Sequence, residues 1–184
     1  DGIRWERPVV DSALIKGTNF LKIEPIQRDS GMVWLDLEEK DGNKRFKMTM
    51  YRPGLGYQTR LSPDGVRWTE PIDNSRALSD RSTFFYNPFR KVWVFSLRDH
   101  NPARIRRYAE AANFTDPVWK DMGKLPLWLA TNSDDKIFPG PYDKELPDLY
   151  NVDATPYESL MLGLFTIHYK LADKATGLPK YNAV

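Results

Sequence analysis

Three aspartates have a similar placement in the chain. Asp29, Asp80 and Asp153 each stand just before or at the start of an apolar run with strand character. Asp29 lies seven residues before Asp36, Asp80 six before Tyr86, and Asp153 five before Glu158. If the runs are the first strands of repeating units around an axis, their starts face one mouth and the carboxylates converge. Hydrolysis of a glycosidic bond needs such a set: one carboxylate as nucleophile or base, a second held protonated to protonate the leaving oxygen, and a third to stabilise. Asp80 and Asp153 fit base or stabiliser. Glu158, between Tyr157 and Leu160, fits the acid, because an apolar setting keeps a carboxyl neutral. Arg81 beside Asp80 would keep that aspartate ionised and bind a hydroxyl. Asp29 and Asp36 complete the polar set, and Trp34 and Tyr157 offer aromatic faces to a sugar. The alternative is structural: an Asp at a strand start also bonds nearby backbone N–H groups. His100 and His168 are the only histidines; they lack metal-pair spacing and read as structural.

The elements that would position these residues are strands. Between Ser79 and His100, Thr83 to Tyr86 and Val92 to Leu97 flank the turn-forming Asn87-Pro88, a hairpin signal. Its open end carries Asp80, Arg81, Arg98 and Asp99. Upstream, the spacing predicts strands over Met32 to Leu37, Arg45 to Tyr51 and Tyr57 to Leu61, and one after Trp68. Arg104 to Ala109 reads as a further strand, with a short helix over 106–112 as the alternative. Leu160 to Tyr169 is another apolar strand, Lys170 to Pro179 a polar turn, and Lys180 to Val184 the start of a last strand. The stretch 124–148, with Pro139-Gly140-Pro141, reads as a long loop.

Asp1-Gly2-Ile3-Arg4-Trp5 and Asp64-Gly65-Val66-Arg67-Trp68 repeat one pattern, each followed by a Pro. Asp-Gly between extended runs marks a tight corner, because Gly reaches φ > 0 without steric cost. Ala112 to Trp119 stands in the same relation to its unit, without the glycine. A period near 60 residues suits a four-stranded blade with loops. The expected fold is therefore all-β: a β-propeller of four-stranded antiparallel blades, one partial domain with units over roughly 6–70, 71–123 and 149–184.

Composition narrows the classes. The 184 residues carry a net charge of +2, fourteen Pro, eleven Gly and 13% aromatics. That favours short strands and many turns. The densest basic spot, Arg104 to Arg107, reads as the solvent face of a strand and not as a nucleic-acid site. Absent cysteine excludes disulfides and thiolate metal sites. No apolar run approaches the ~18 residues of a membrane span. No cofactor motif or metal-ligand spacing is present. Asn113-Phe114-Thr115 fits the glycosylation triplet. A start at Asp-Gly without Met reads as a processed, trimmed or incomplete chain.

Four stretches together resemble a known group: the two Asp-Gly-x-x-Trp corners, Asp80-Arg81-Ser82-Thr83-Phe84-Phe85-Tyr86-Asn87-Pro88-Phe89, and Tyr157-Glu158-Ser159-Leu160-Met161-Leu162-Gly163. The chain resembles bacterial members of the five-bladed β-propeller glycoside hydrolase superfamily, the invertase-like and arabinanase-like clan, and within it family-32-like sequences. The resemblance implies three acidic residues at a central funnel, a carbohydrate substrate, no obligatory cofactor, and a secreted or periplasmic location. The invertase Asn-Asp-Pro motif and the Arg-Asp-Pro and Glu-Cys motifs are absent; Asp80-Arg81 reverses the second. Five blades need roughly 300 residues at this period. The chain holds about two and a half, so further blades or self-association would complete a ring. Two other readings stand beside catalysis: a non-catalytic carbohydrate-binding propeller and a scaffold for protein contacts.

Overall fold

The computed structural model describes all residues except 1, 12, 14, 22, 24–28, 76–77, 102, 117, 136–145, 170–180 and 184. The turns expected at 139–141 and 170–179 lie outside them. The described residues form an all-β protein of three antiparallel sheets with a few short 3-10 turns. The first sheet is a meander of β1 (Ser30–Leu35), β2 (Phe46–Arg52), β3 (Gly56–Ser62) and β4 (Asp73–Ser75). The second is β5 (Thr83–Asn87), β6 (Val92–His100), β7 (Arg104–Ala111) and β8 (Leu127–Leu129), in that order. The third runs β9 (Asp148–Tyr157), β10 (Leu160–Tyr169) and β11 (Tyr181–Ala183). Residues 106–111 are strand, not helix. β8 falls inside the stretch expected to be loop; three residues ahead of a polar run give too little alternation to read.

The corners hold their sequences for specific reasons. Ser62 Oγ accepts from the N–H groups of Asp64 and Gly65 at 3.2 and 2.8 Å. Asp64 Oδ1 accepts from those of Val66 and Arg67 at 2.9 and 2.8 Å. Gly65 sits at φ +76°, where a Cβ would also meet the Phe46 ring at 3.3 Å. Trp68 then donates its indole N–H to the Gly65 carbonyl at 3.1 Å. Trp5 and Gly2 make the same bond at the same distance, with Gly2 also at φ +76°. The repeat seen in the sequence is a repeat of geometry.

The core lies between the first and second sheets. Alternation along β1 turns Met32 and Trp34 toward the second sheet and leaves Val33 and Leu35 on the opposite, exposed face. Trp34 meets Trp93 edge-on at 6.1 Å. Phe84, Phe95 and Leu97 are fully buried beside Trp93, Phe114 and Trp119. Each such side chain contributes roughly 1.5–3 kcal/mol through burial. Phe114 is thus part of the core, in the middle of the glycosylation triplet.

The three first strands are neighbours, β1 against β5 and β5 against β9. Arg81 N–H donates to Ser30 Oγ at 3.0 Å, just ahead of β5 and at the start of β1. Thr83 Oγ1 donates to the Val152 carbonyl, tying β5 to β9. The starts of all three strands therefore lie at one end of the molecule.

Candidate functional site

At this end the second and third sheets bring four arginines together. Asp80 pairs with Arg98, which comes from the far strand of the same hairpin, and not with the adjacent Arg81. Ser82 Oγ accepts from the Arg98 backbone N–H at 3.0 Å and holds the pair in place. Arg104 binds Asp148 twice, through its backbone N–H at 2.8 Å and its guanidinium at 2.7 Å. His168 Nδ1 lies 3.2 Å from that guanidinium and 3.6 Å from Asp148. Asp148 is buried, so the double contact offsets the loss of its hydration.

Arg106 is fully buried. The basic run 104–107 is therefore not a solvent face: alternation along β7 turns Arg106 inward, between β5 and β9. Its guanidinium donates to the carbonyls of Arg81 (2.6 Å), Leu149 (3.3 Å) and Tyr150. Burial, then the charge of Arg98, pushes its pKa down to about 9, leaving it protonated at neutral pH. Burial and then Arg104 also hold Arg98 below its ordinary value. Arg81 stands differently. Its guanidinium lies 5.0 Å from the centre of the Tyr150 ring, which Arg104 also approaches at 5.2 Å. It has no acidic partner among the described residues, and its Nε is buried without a hydrogen bond.

The aspartates at the strand starts are Asp29, Asp80 and Asp148. Asp29 immediately precedes β1 and lines a cavity of about 610 Å3 with Ser30, Met32 and Arg81. Asp153 is not the residue at the strand start: it lies midway along β9, exposed, and accepts from Asn151 Nδ2 at 2.5 Å. It still borders the mouth, next to the Val152 carbonyl that Thr83 binds at the start of β5, and its charge acts on Arg106. The third strand begins five residues earlier than its sequence suggests, at Asp148. A count back from the hairpin turn cannot find this, because β9 is twice the length of β5 (ten residues against five).

Glu158 is not in an apolar segment. It occupies the two-residue turn between β9 and β10, exposed, at φ +50°. Seven residues of extended strand lie between it and Tyr150, eight steps that span roughly 26 Å at 3.3 Å each. A glycosidase pair of Asp80 and Glu158 is thus not brought together; carboxyl groups in such pairs stand within about 10 Å. Tyr157 lies at that same remote end.

Asp36 follows the last residue of β1, so it too is at the opposite end from Asp29. There it pairs with the buried Lys47 at 2.9 Å, and Lys47 also reaches Glu39 at 3.1 Å and stands 5.3 Å from the Trp93 ring. Lys47 is a satisfied structural cation. Trp34 is half-buried and packs edge-on against Trp93 at the core's border. The sequence reading missed Arg98, Arg104, Arg106, Asp148 and Tyr150. Arg98 was visible at the hairpin's open end; the others needed the contact between sheets.

No group of three or more metal-ligating side chains occurs among the described residues. No helix among them is long and apolar enough to cross a membrane. No protein-family model, curated protein or solved structure matches the chain.

Proposed function

We propose that the chain is part of a carbohydrate-active β-propeller, a glycoside hydrolase whose sugar site is the mouth formed by the starts of β1, β5 and β9. The observation that carries the reading is the placement of Asp29, Asp80 and Asp148, each at or just before a first strand, at the end of the molecule where Arg81, Arg98 and Tyr150 also lie. Two successive four-stranded meanders with adjacent first strands support the blade architecture. The motif resemblance supports the chemistry. Asp29 and Asp80 are the candidate catalytic carboxylates, and Asp148 fixes Arg104. Leu162, Leu164 and Phe165 on β10 are exposed apolar side chains; further sheets, or a second copy, would cover them as a ring requires.

The second reading is sugar binding without turnover. It is favoured by the ion pair that Asp80 already makes with Arg98 and by the remoteness of Glu158. A panel of aryl glycosides separates the two. Turnover that falls at least ~100-fold in Asp29→Asn or Asp80→Asn, but not in Glu158→Gln, supports the hydrolase. Saccharide binding without turnover supports the second reading. Absence of both overturns the proposal and leaves a scaffold for protein contacts.

A further inference from the structure

We infer that Arg81 is an anion-recognising group within this mouth, and that the saccharide it takes carries a negatively charged substituent: the carboxylate of a uronic acid unit or a sulfate ester. The inference rests on the sugar-site reading above and adds the substrate class to it.

Three features single out Arg81 from the arginines around it. Its neighbours are used. Arg98 is paired with Asp80, Arg104 with Asp148, and Arg106 with three carbonyls. Arg81 has neither a carboxylate nor a hydrogen-bond acceptor for its side chain among the described residues; its Nε is buried without a partner, as are those of Arg104 and Arg106, but only Arg81 lacks a partner for the rest of its guanidinium. An unmatched, partly buried cation is costly unless a ligand completes it.

Second, its backbone is in the left-handed region at φ +60°, a conformation unfavourable for a non-Gly residue. It is held there from both sides, by the N–H bond to Ser30 Oγ and by Arg106 on its carbonyl. Strain fixed in this way directs one side chain. Third, the Tyr150 ring beneath the guanidinium orients its planar donor fork. A fork of this kind matches two oxygens of a carboxylate or sulfate at once. Asp29, on the wall of the same cavity, is placed to take sugar hydroxyls.

Calorimetric titration of the whole chain tests this with three oligosaccharides of equal length: an oligogalacturonate, a sulfated oligosaccharide and a neutral one. The charged oligomers, or one of them, should bind at least about tenfold tighter than the neutral one. Arg81→Gln should bring that ratio close to one. Arg81→Gly should do the same while relieving the backbone, which guards against loss through misfolding. Arg81→Lys should keep part of the ratio, and salt should erode it. The arm that responds identifies carboxylate or sulfate. Equal affinity for charged and neutral oligomers, or a preference that survives Arg81→Gln and Arg81→Gly, overturns the inference and leaves the sugar site intact. Binding of none of the three overturns both.

Discussion

Two hairpins of the same plan have opposite fates. β5–β6 carries Phe84, Phe85, Trp93, Val94 and Phe95, all buried, with the first sheet packed on one side and the third on the other. β9–β10 carries an equally apolar run, yet Leu160, Leu162, Leu164 and Phe165 are exposed. Only the early part of β9 is covered: Leu149 and Val152 are buried where β5 and β7 meet them. The apolar pattern makes the strand, and the neighbouring sheet makes the core. A strand's sequence therefore reports what it is built to touch, whether or not the contact is present.

The largest effect should separate the hairpins directly. Phe84→Ala, at a site with no exposure, is expected to cost ~3–5 kcal/mol, whereas Leu164→Ala should fall within ~0.5 kcal/mol. Urea unfolding reads both; a Leu164→Ala cost like that of Phe84→Ala would mean the β10 face is covered in solution. Next comes the junction between the hairpins. Asp148→Ala leaves Arg104 without its partner and should cost about 3 kcal/mol, against little for Asp153→Asn. The same unfolding curves decide, and equal costs would place both carboxylates in one environment.

A smaller effect of opposite sign is expected at the exposed turn. Glu158→Gly should stabilise by up to about 1 kcal/mol, since glycine accepts φ +50° freely. A loss of stability would show that the Glu158 side chain makes a contact in solution. The smallest effect concerns acid. Burial pushes Asp99 up, but Arg107 at 2.5 Å and the His100 N–H outweigh it and hold its carboxyl below the usual range. A depressed carboxylate contributes stability above its unfolded pKa of about 3.9, and loses it as pH falls through the folded value. Thermal unfolding of the wild type should thus fall more steeply below pH 4 than that of Asp99→Asn. Parallel curves would remove Asp99 as a source of acid sensitivity.

Most strands were legible because alternation and Asp-Gly corners are local signals. Trp5 and Trp68 even make the same hydrogen bond, each donating to the carbonyl of the glycine three residues before it. What was not legible depended on distance in the chain. Asp80 finds its partner 18 residues on, at Arg98, and Arg104 finds Asp148 44 residues on. Arg106 looked solvent-facing because a basic run usually is. Only the arrival of β9 adds two carbonyls to the one that Arg81 offers it. Asp153 reads as the start of a strand, and Asp148 escapes notice, because sequence shows where a strand is apolar but not how far it extends into polar residues. Glu158 was misjudged for a related reason: flanking apolar residues do not distinguish a buried segment from the tip of a hairpin.

The Arg106 side chain works as a rivet. One guanidinium clamps the carbonyl of the loop entering β5 to two carbonyls of β9, across the seam between sheets. That cation joins the Thr83–Val152 bond, the Arg104–Asp148 pair and the packing of Leu149 and Val152 in setting the angle between those sheets. Opening the seam means breaking these contacts together, so the mouth should yield as a unit or not at all. Any ligand gripping Arg81 pulls on a backbone already fastened to its neighbour, and meets a rigid rim.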